Sequence, residues 1–89
     1  MKIKLELFGV SRDFSNKEFL EFNIKQKMEI KDFRKEVINY LDKNFKGNEN
    51  FIKIVKNSVF CSEDNNIIND DFKIIKDQKI GIIPPIGGG

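Results

Sequence analysis

Ile3, Leu5 and Leu7 alternate with Lys2, Lys4 and Glu6 at the start of the chain, the two-residue period of a strand with one buried face. Gly9 to Asn16 breaks that alternation with glycine, serine and asparagine and reads as a connection. The period returns over Glu18 to Ile24, where Leu20, Phe22 and Ile24 share a face opposite Glu21 and Asn23. Two such runs predict an antiparallel hairpin. Over Ile30 to Lys46 the period becomes helical. Phe33, Val37, Tyr40, Leu41 and Phe45 form a stripe, and Lys31, Lys35, Glu36, Asn39, Asp42, Lys43 and Lys46 take the remaining positions. Gly47 is placed to end this helix. Asp32 in the first turn favours its dipole, although neither Met28 nor Glu29 is a preferred cap residue.

Beyond the helix, Phe51 to Val55 and Ser58 to Cys61 read as short strands around Lys56 and Asn57. Glu63 to Asp71 is a polar loop, Phe72 to Ile75 is apolar again, and Lys79 to Ile83 is the final strand, with Ile80 and Ile82 facing one way. Pro84 has no N–H to give to a ladder, so pairing should stop there. With no repeat and no long linker, the expectation is one domain over residues 1–83 and a flexible tail over residues 84–89. A hairpin, one main helix and further short strands predict an α+β fold, with the helix packed across a mixed sheet of four to five strands. That order of elements is the β-grasp, the ubiquitin-like architecture.

The composition narrows what such a domain does. At 89 residues the chain has room for one hydrophobic core and buries roughly 60–65% of its unfolded surface. Nine phenylalanines fill that core in place of tryptophan. The formal charge is only +2, with acids and bases interspersed, so no basic block points to nucleic acid. No apolar run approaches the ~20 residues of a membrane helix and no secretory signal opens the sequence, so the expected compartment is the cytoplasm. Cys61 is the only cysteine, and there is no histidine. A disulfide within the chain is therefore excluded, as is a multi-thiolate iron–sulfur cluster, and the usual zinc spacings are absent. With no obvious base near it in sequence, Cys61 reads as a small buried hydrophobe rather than a nucleophile.

The most distinctive segment is Pro84-Pro85-Ile86-Gly87-Gly88-Gly89. Two prolines fix φ and project the chain outward. Glycines have no Cβ, so the backbone beyond them enters passages that any side chain would block. No side chain from Ile80 onward is charged, which leaves the terminal carboxylate as the only charge of that end. Such an end suits insertion into another protein's active site, with the carboxylate as the reacting group. Its plainer reading is a frayed terminus.

Three segments carry a family resemblance. They are Leu7-Phe8-Gly9-Val10-Ser11-Arg12-Asp13-Phe14, Val55-Lys56-Asn57-Ser58-Val59 and Ile82-Ile83-Pro84-Pro85-Ile86-Gly87-Gly88-Gly89. The chain resembles the ubiquitin-like sulfur carriers, the family of the small subunit of molybdopterin synthase and of the thiamin sulfur carriers. The first segment is similar to that family's first strand and its arginine-containing turn. The second is similar to its Val-Asn-x-x-Val hairpin, with Lys56 where asparagine is common. The third is similar to its Pro-Pro-to-Gly-Gly end. The usual Asp-Gly turn before the last strand stands here as Lys76-Asp77-Gln78-Lys79, without the glycine. Gly87 in place of a threonine, serine or alanine gives a triple glycine that is also seen in thiamin carriers. The Pro-Pro step and the longer first loop favour the molybdopterin branch.

The resemblance implies a chemistry for the tail. An E1-like adenylating enzyme would use ATP to activate the carboxylate of Gly89, and a persulfide sulfur donor would convert it to a thiocarboxylate. The large subunit of molybdopterin synthase would receive that tail and build the molybdopterin dithiolene with its sulfur. Gly89 would carry the reacting group, and Pro84, Pro85, Ile86, Gly87 and Gly88 would thread the tail. No bound cofactor, metal, nucleic acid or membrane is expected. Phe8 and Ile83 lie opposite the predicted core positions and are candidates for an apolar docking patch, with packing under the loops or helix as the alternative. Arg12 matches the family's arginine and also reads as a solvated surface charge. The same tail fits a carrier for another pathway, such as thiamin, or a modifier joined to target lysines through Gly89. An interaction domain with an inert tail is the remaining alternative.

Overall fold

The computed structural model describes residues 1–85; Ile86, Gly87, Gly88 and Gly89, assigned above to threading and reaction, lie outside the described residues. The alternating runs form the expected hairpin. β1 (Lys2–Leu7) pairs antiparallel with β2 (Phe19–Asn23), with Ile3 opposite Phe22 and Leu5 opposite Leu20. Ile3, Leu5 and Leu7 are buried while Lys2 and Lys4 face water. The connection is more ordered than its composition suggests. Gly9–Phe14 forms a 3₁₀ turn that folds Phe14 fully into the core.

A two-residue strand, β3 (Met28–Glu29), leads into helix α1 (Ile30–Asn44), whose buried stripe is Ile30, Phe33, Val37 and Leu41. Tyr40 and Phe45 pack at its margin. Asp32 does more than supply charge to the first turn: its Oδ2 accepts the Glu29 N–H at 3.4 Å, satisfying a donor that the helix leaves unpaired. The helix ends two residues before the predicted boundary. Lys46 and Gly47 both adopt positive φ, and the Gly47 N–H returns to the Asp42 carbonyl at 3.1 Å, a Schellman-type closure.

The strand expected over Phe51–Val55 is instead part of a second helix, α2 (Glu49–Asn57). Asn48 caps it, its side-chain oxygen accepting the Phe51 N–H at 3.1 Å. As a strand, this segment would put Lys53 on the face of Phe51 and Val55. As a helix, Phe51, Ile54 and Val55 share one side, and the Phe51 ring packs against Phe14 at 5.0 Å and Phe45 at 4.9 Å. The hairpin expected over Val55-Lys56-Asn57-Ser58-Val59 is therefore corrected to a helix-to-strand junction.

The remaining strands are β4 (Val59–Cys61), β5 (Ile67–Ile68), β6 (Lys73–Ile74) and β7 (Gln78–Ile83). β2-β1-β7-β4-β5 form one mixed sheet, in which only β1 and β7 run parallel, and β3 pairs with β6 separately. This is the expected β-grasp: a five-stranded mixed sheet with the main helix packed across one face. Phe33 of α1 ties the two layers, meeting Phe22 edge-on at 5.3 Å and Phe60 of β4 at 6.0 Å. Replacement Phe33→Ala is expected to cost about 3–5 kcal/mol in urea unfolding. Ile67→Ala, at an exposed position, should change stability by less than about 0.5 kcal/mol.

Candidate functional site at the root of the tail

Alternation along β7 sends Ile80 and Ile82 into the core and turns Lys79, Gly81 and Ile83 to the other face of the sheet. The antiparallel register with β4 sets Cys61 opposite Gly81 and Val59 opposite Ile83. Cys61 in turn lies opposite Ile67 of β5. From the other side, Phe8 follows directly on β1 and lays its ring over Gly81. A Cβ at Gly81 would stand 2.8 Å from Phe8 Cε2 and 2.7 Å from Cys61 Sγ. The missing side chain is what allows ring and thiol to close over the strand.

The 3₁₀ turn after β1 holds this arrangement. The Ser11 N–H donates to the Phe8 carbonyl at 3.2 Å and the Ser11 hydroxyl to the same oxygen at 2.6 Å. Ser11 itself is fully buried, so a polar side chain is spent on fixing the backbone at Phe8. Gly9 takes a φ of +57°, and the space where its Cβ would lie is 3.8 Å from Pro84 Cγ. Pro84 is buried and Pro85 exposed. The first proline of the tail is thus seated on the domain beside Gly9, and Pro85 faces solvent.

Around this exit the outer face is apolar. Phe8 (40% exposed), Val10, Val59 and Ile67 all show large side chains to water, and Ile83 is half-buried among them. Deeper along the same face the surface becomes charged: Lys79 Nζ lies 3.5 Å from Glu6 Oε1, and Lys4 Nζ sits 4.2 Å over the Phe19 ring. Beside the tail root, then, the described side chains offer contact area, and the polar ones stand further down the sheet. An exposed apolar patch of this kind is the common mark of an interaction surface.

Phe8 and Ile83, the candidates for a docking patch, both lie on this face. Arg12 is turned elsewhere: its Nη2 pairs with Glu18 Oε1 at 3.2 Å, with both side chains largely exposed, a surface pair worth about 0.2–1 kcal/mol. Cys61 is buried as expected, but on the outer face under Phe8 rather than among the helix-facing core residues. Val10, Val59 and Gly81 join Phe8 and Ile83 near the tail root without having stood out in the sequence. An isolated glycine inside an apolar strand was the available signal for a close approach. Among the described residues no group of three or more histidines, cysteines or acids is arranged to hold a metal ion, and no helix is long and apolar enough to cross a membrane.

Gly81→Ala is expected to destabilise the domain by about 1–3 kcal/mol, because the new methyl meets the Phe8 ring and the Cys61 sulfur. Large ring-proton shifts at Phe8, with small ones at Phe33, would show that the strain falls on the outer face; unchanged Phe8 signals would contradict this packing.

No protein-family model matches the sequence, and no curated protein is similar to it at sequence level. Solved structures are. A protein described as molybdopterin converting factor, subunit 1, from Pyrococcus furiosus superposes with a TM-score of 0.69 at 16% identity, over 96% of this chain and 98% of its own. SAMP1 from Haloferax volcanii superposes with a TM-score of 0.68 at 10% identity, over the whole of both chains. Matches of this extent at such low identity establish the architecture, and they agree with the sequence resemblance to the ubiquitin-like sulfur carriers at the level of fold: this chain is a ubiquitin-like β-grasp domain.

Proposed function

We propose that this chain is a ubiquitin-like sulfur carrier that serves as the small subunit of molybdopterin synthase, with Gly89 bearing the transferred sulfur. The observation that carries the reading is that Pro84, which opens the Pro-Pro-Ile-Gly-Gly-Gly end of the sequence, is seated beside an exposed apolar face. A partner that covers Phe8, Val10, Val59 and Ile83 holds the domain while the residues after Pro85 enter its active site. Pro84 and Pro85 lower the entropy lost when the tail is threaded. Ile86 offers an apolar anchor, and Gly87, Gly88 and Gly89 leave the reacting carbon open to approach. The overall likeness to a molybdopterin converting factor subunit supports the same assignment.

The chemistry belongs to the partners. An E1-like enzyme joins AMP from ATP to the Gly89 carboxylate and releases pyrophosphate. The terminal sulfur of a persulfide donor attacks the acyl carbon and expels AMP. A thiol then reduces the new sulfur–sulfur bond, leaving a thiocarboxylate on the carrier and a disulfide on the donor side. The large synthase subunit takes up that tail and uses its sulfur for the dithiolene of molybdopterin. ATP is thus a substrate of the activating enzyme, this chain is assigned no bound cofactor, and its proposed compartment is the cytoplasm. A thiamin-pathway carrier uses the same steps with another acceptor, and a protein modifier diverts the adenylate to a lysine.

Intact-mass measurement after incubation with ATP, a persulfide donor and the cognate activating enzyme tests the reading. The expected result is replacement of one terminal oxygen by sulfur in the full chain and no change in a chain lacking Gly89. High-mass isopeptide conjugates in cells, with no sulfur-bearing species, would favour the modifier. No product of either kind with an active enzyme would overturn both.

A further inference from the structure

The chain has two arginines, and they are used differently. Arg12 is 58% exposed in a surface pair, whereas the side chain of Arg34 on α1 is only 19% exposed. Arg34 Nη1 donates to the carbonyls of both Val55 and Ser58, each at 2.7 Å. Its Nη2 donates to Asp70 Oδ1 at 3.2 Å, and the guanidinium lies 4.9 Å from the centroid of the Phe60 ring. Only a planar fork of several donors serves these partners at once. Val55 is in the last turn of α2, where the dipole favours a cation, and its carbonyl also accepts the Ser58 N–H at 3.3 Å. Ser58 is the single residue between α2 and β4. The fork therefore spans both sides of the junction.

β4 is only three residues long, and its first residue, Val59, pairs with Ile83 of β7 directly after the junction. Where the junction sits decides where Val59 stands beside Ile83. The Ser58 hydroxyl adds one further tie, donating to the Ile54 carbonyl at 2.6 Å. We infer that Arg34 is a positioning residue for the docking face: by clamping the α2–β4 junction from the opposite side of the sheet, it sets Val59 next to Ile83 at the root of the tail. The structural part of this inference stands on the geometry, and its consequence for partner binding rests on the proposed sulfur-carrier function.

Arg34→Lys keeps the charge and removes the fork, since one ammonium does not reproduce the paired planar contacts. Asp70→Ala removes only the exposed partner and serves as a milder probe should the lysine variant fold poorly. Val37→Ala, a core change on the same helix, controls for general loss of stability. All are assayed as substrates of the activating enzyme, well below their unfolding midpoints, and their backbone amide shifts are mapped. The expected result for Arg34→Lys is a rise in KM of about tenfold with kcat unchanged, with shift changes at Val59, Phe60 and Ile83. Asp70→Ala should show the same pattern at about twofold, and Val37→Ala should leave KM unchanged. A KM for Arg34→Lys within twofold of wild type, a KM rise matched by the control, or amide shifts that leave Val59 and Ile83 unmoved would each overturn the inference. If the wild-type chain itself accepts no sulfur, the carrier reading fails, and the amide map alone still decides whether Arg34 sets this end of the sheet.

Discussion

The parallel pairing of β1 with β7 is the constraint on which this molecule turns. Leu5 lies opposite Ile80 and Leu7 opposite Ile82, so strands from the two ends of the chain lie side by side at the centre of the sheet. A parallel pair cannot be closed by a tight turn, and it needs a crossover; α1 lies within that crossover and provides the layer that covers the inward face. The same pairing brings the turn after Leu7 next to the end of β7. Phe8 meets Gly81, and Gly9 meets Pro84, because their strands share a register. The core and the outer apolar face are thus two sides of one pairing.

The division of labour between those sides follows from the alternation. Inward positions are isoleucine, leucine and phenylalanine and carry the stability. Outward positions near the tail are apolar as well, although water covers them, and this is the feature that folding alone does not explain. Further along the same strands the outward positions are Lys4, Glu6 and Lys79, the ordinary solution for a solvated face. The change from charge to apolar surface occurs where the chain leaves the domain. The proposed function accounts for this through a partner that covers this end of the sheet.

Much of this was legible in the sequence. The hairpin, the main helix and the last strand follow from periodicities of two and of three to four residues, and the placement of Phe8 and Ile83 opposite the core positions follows from counting along the strands. The segment from Phe51 to Val55 misled, because a short apolar run satisfies either period and Asn48, the cap that decides for a helix, stands before it. The two-part clamp of Arg34 was out of reach: Val55, Ser58 and Asp70 lie 21, 24 and 36 residues away in sequence, and no local pattern relates them. The role of Gly81 depends on Phe8 arriving from the end of β1 and Cys61 from β4. The chemistry proposed for Gly89 rests on the sequence alone, since that residue lies outside the described residues.

The central claim is that one exposed face docks the domain while the tail delivers the sulfur. Its most direct test is the rate of sulfur loading of Phe8→Asp, followed by intact mass across a range of carrier concentrations. Because the Phe8 side chain is partly exposed, the variant should still fold, and a buried interface would be opposed by the new charge. The account predicts a loss in kcat/KM of at least about tenfold, arising in KM, with the product unchanged in mass. A folded Phe8→Asp chain loaded at the wild-type rate would contradict it, and would place the partner's contact elsewhere on the molecule.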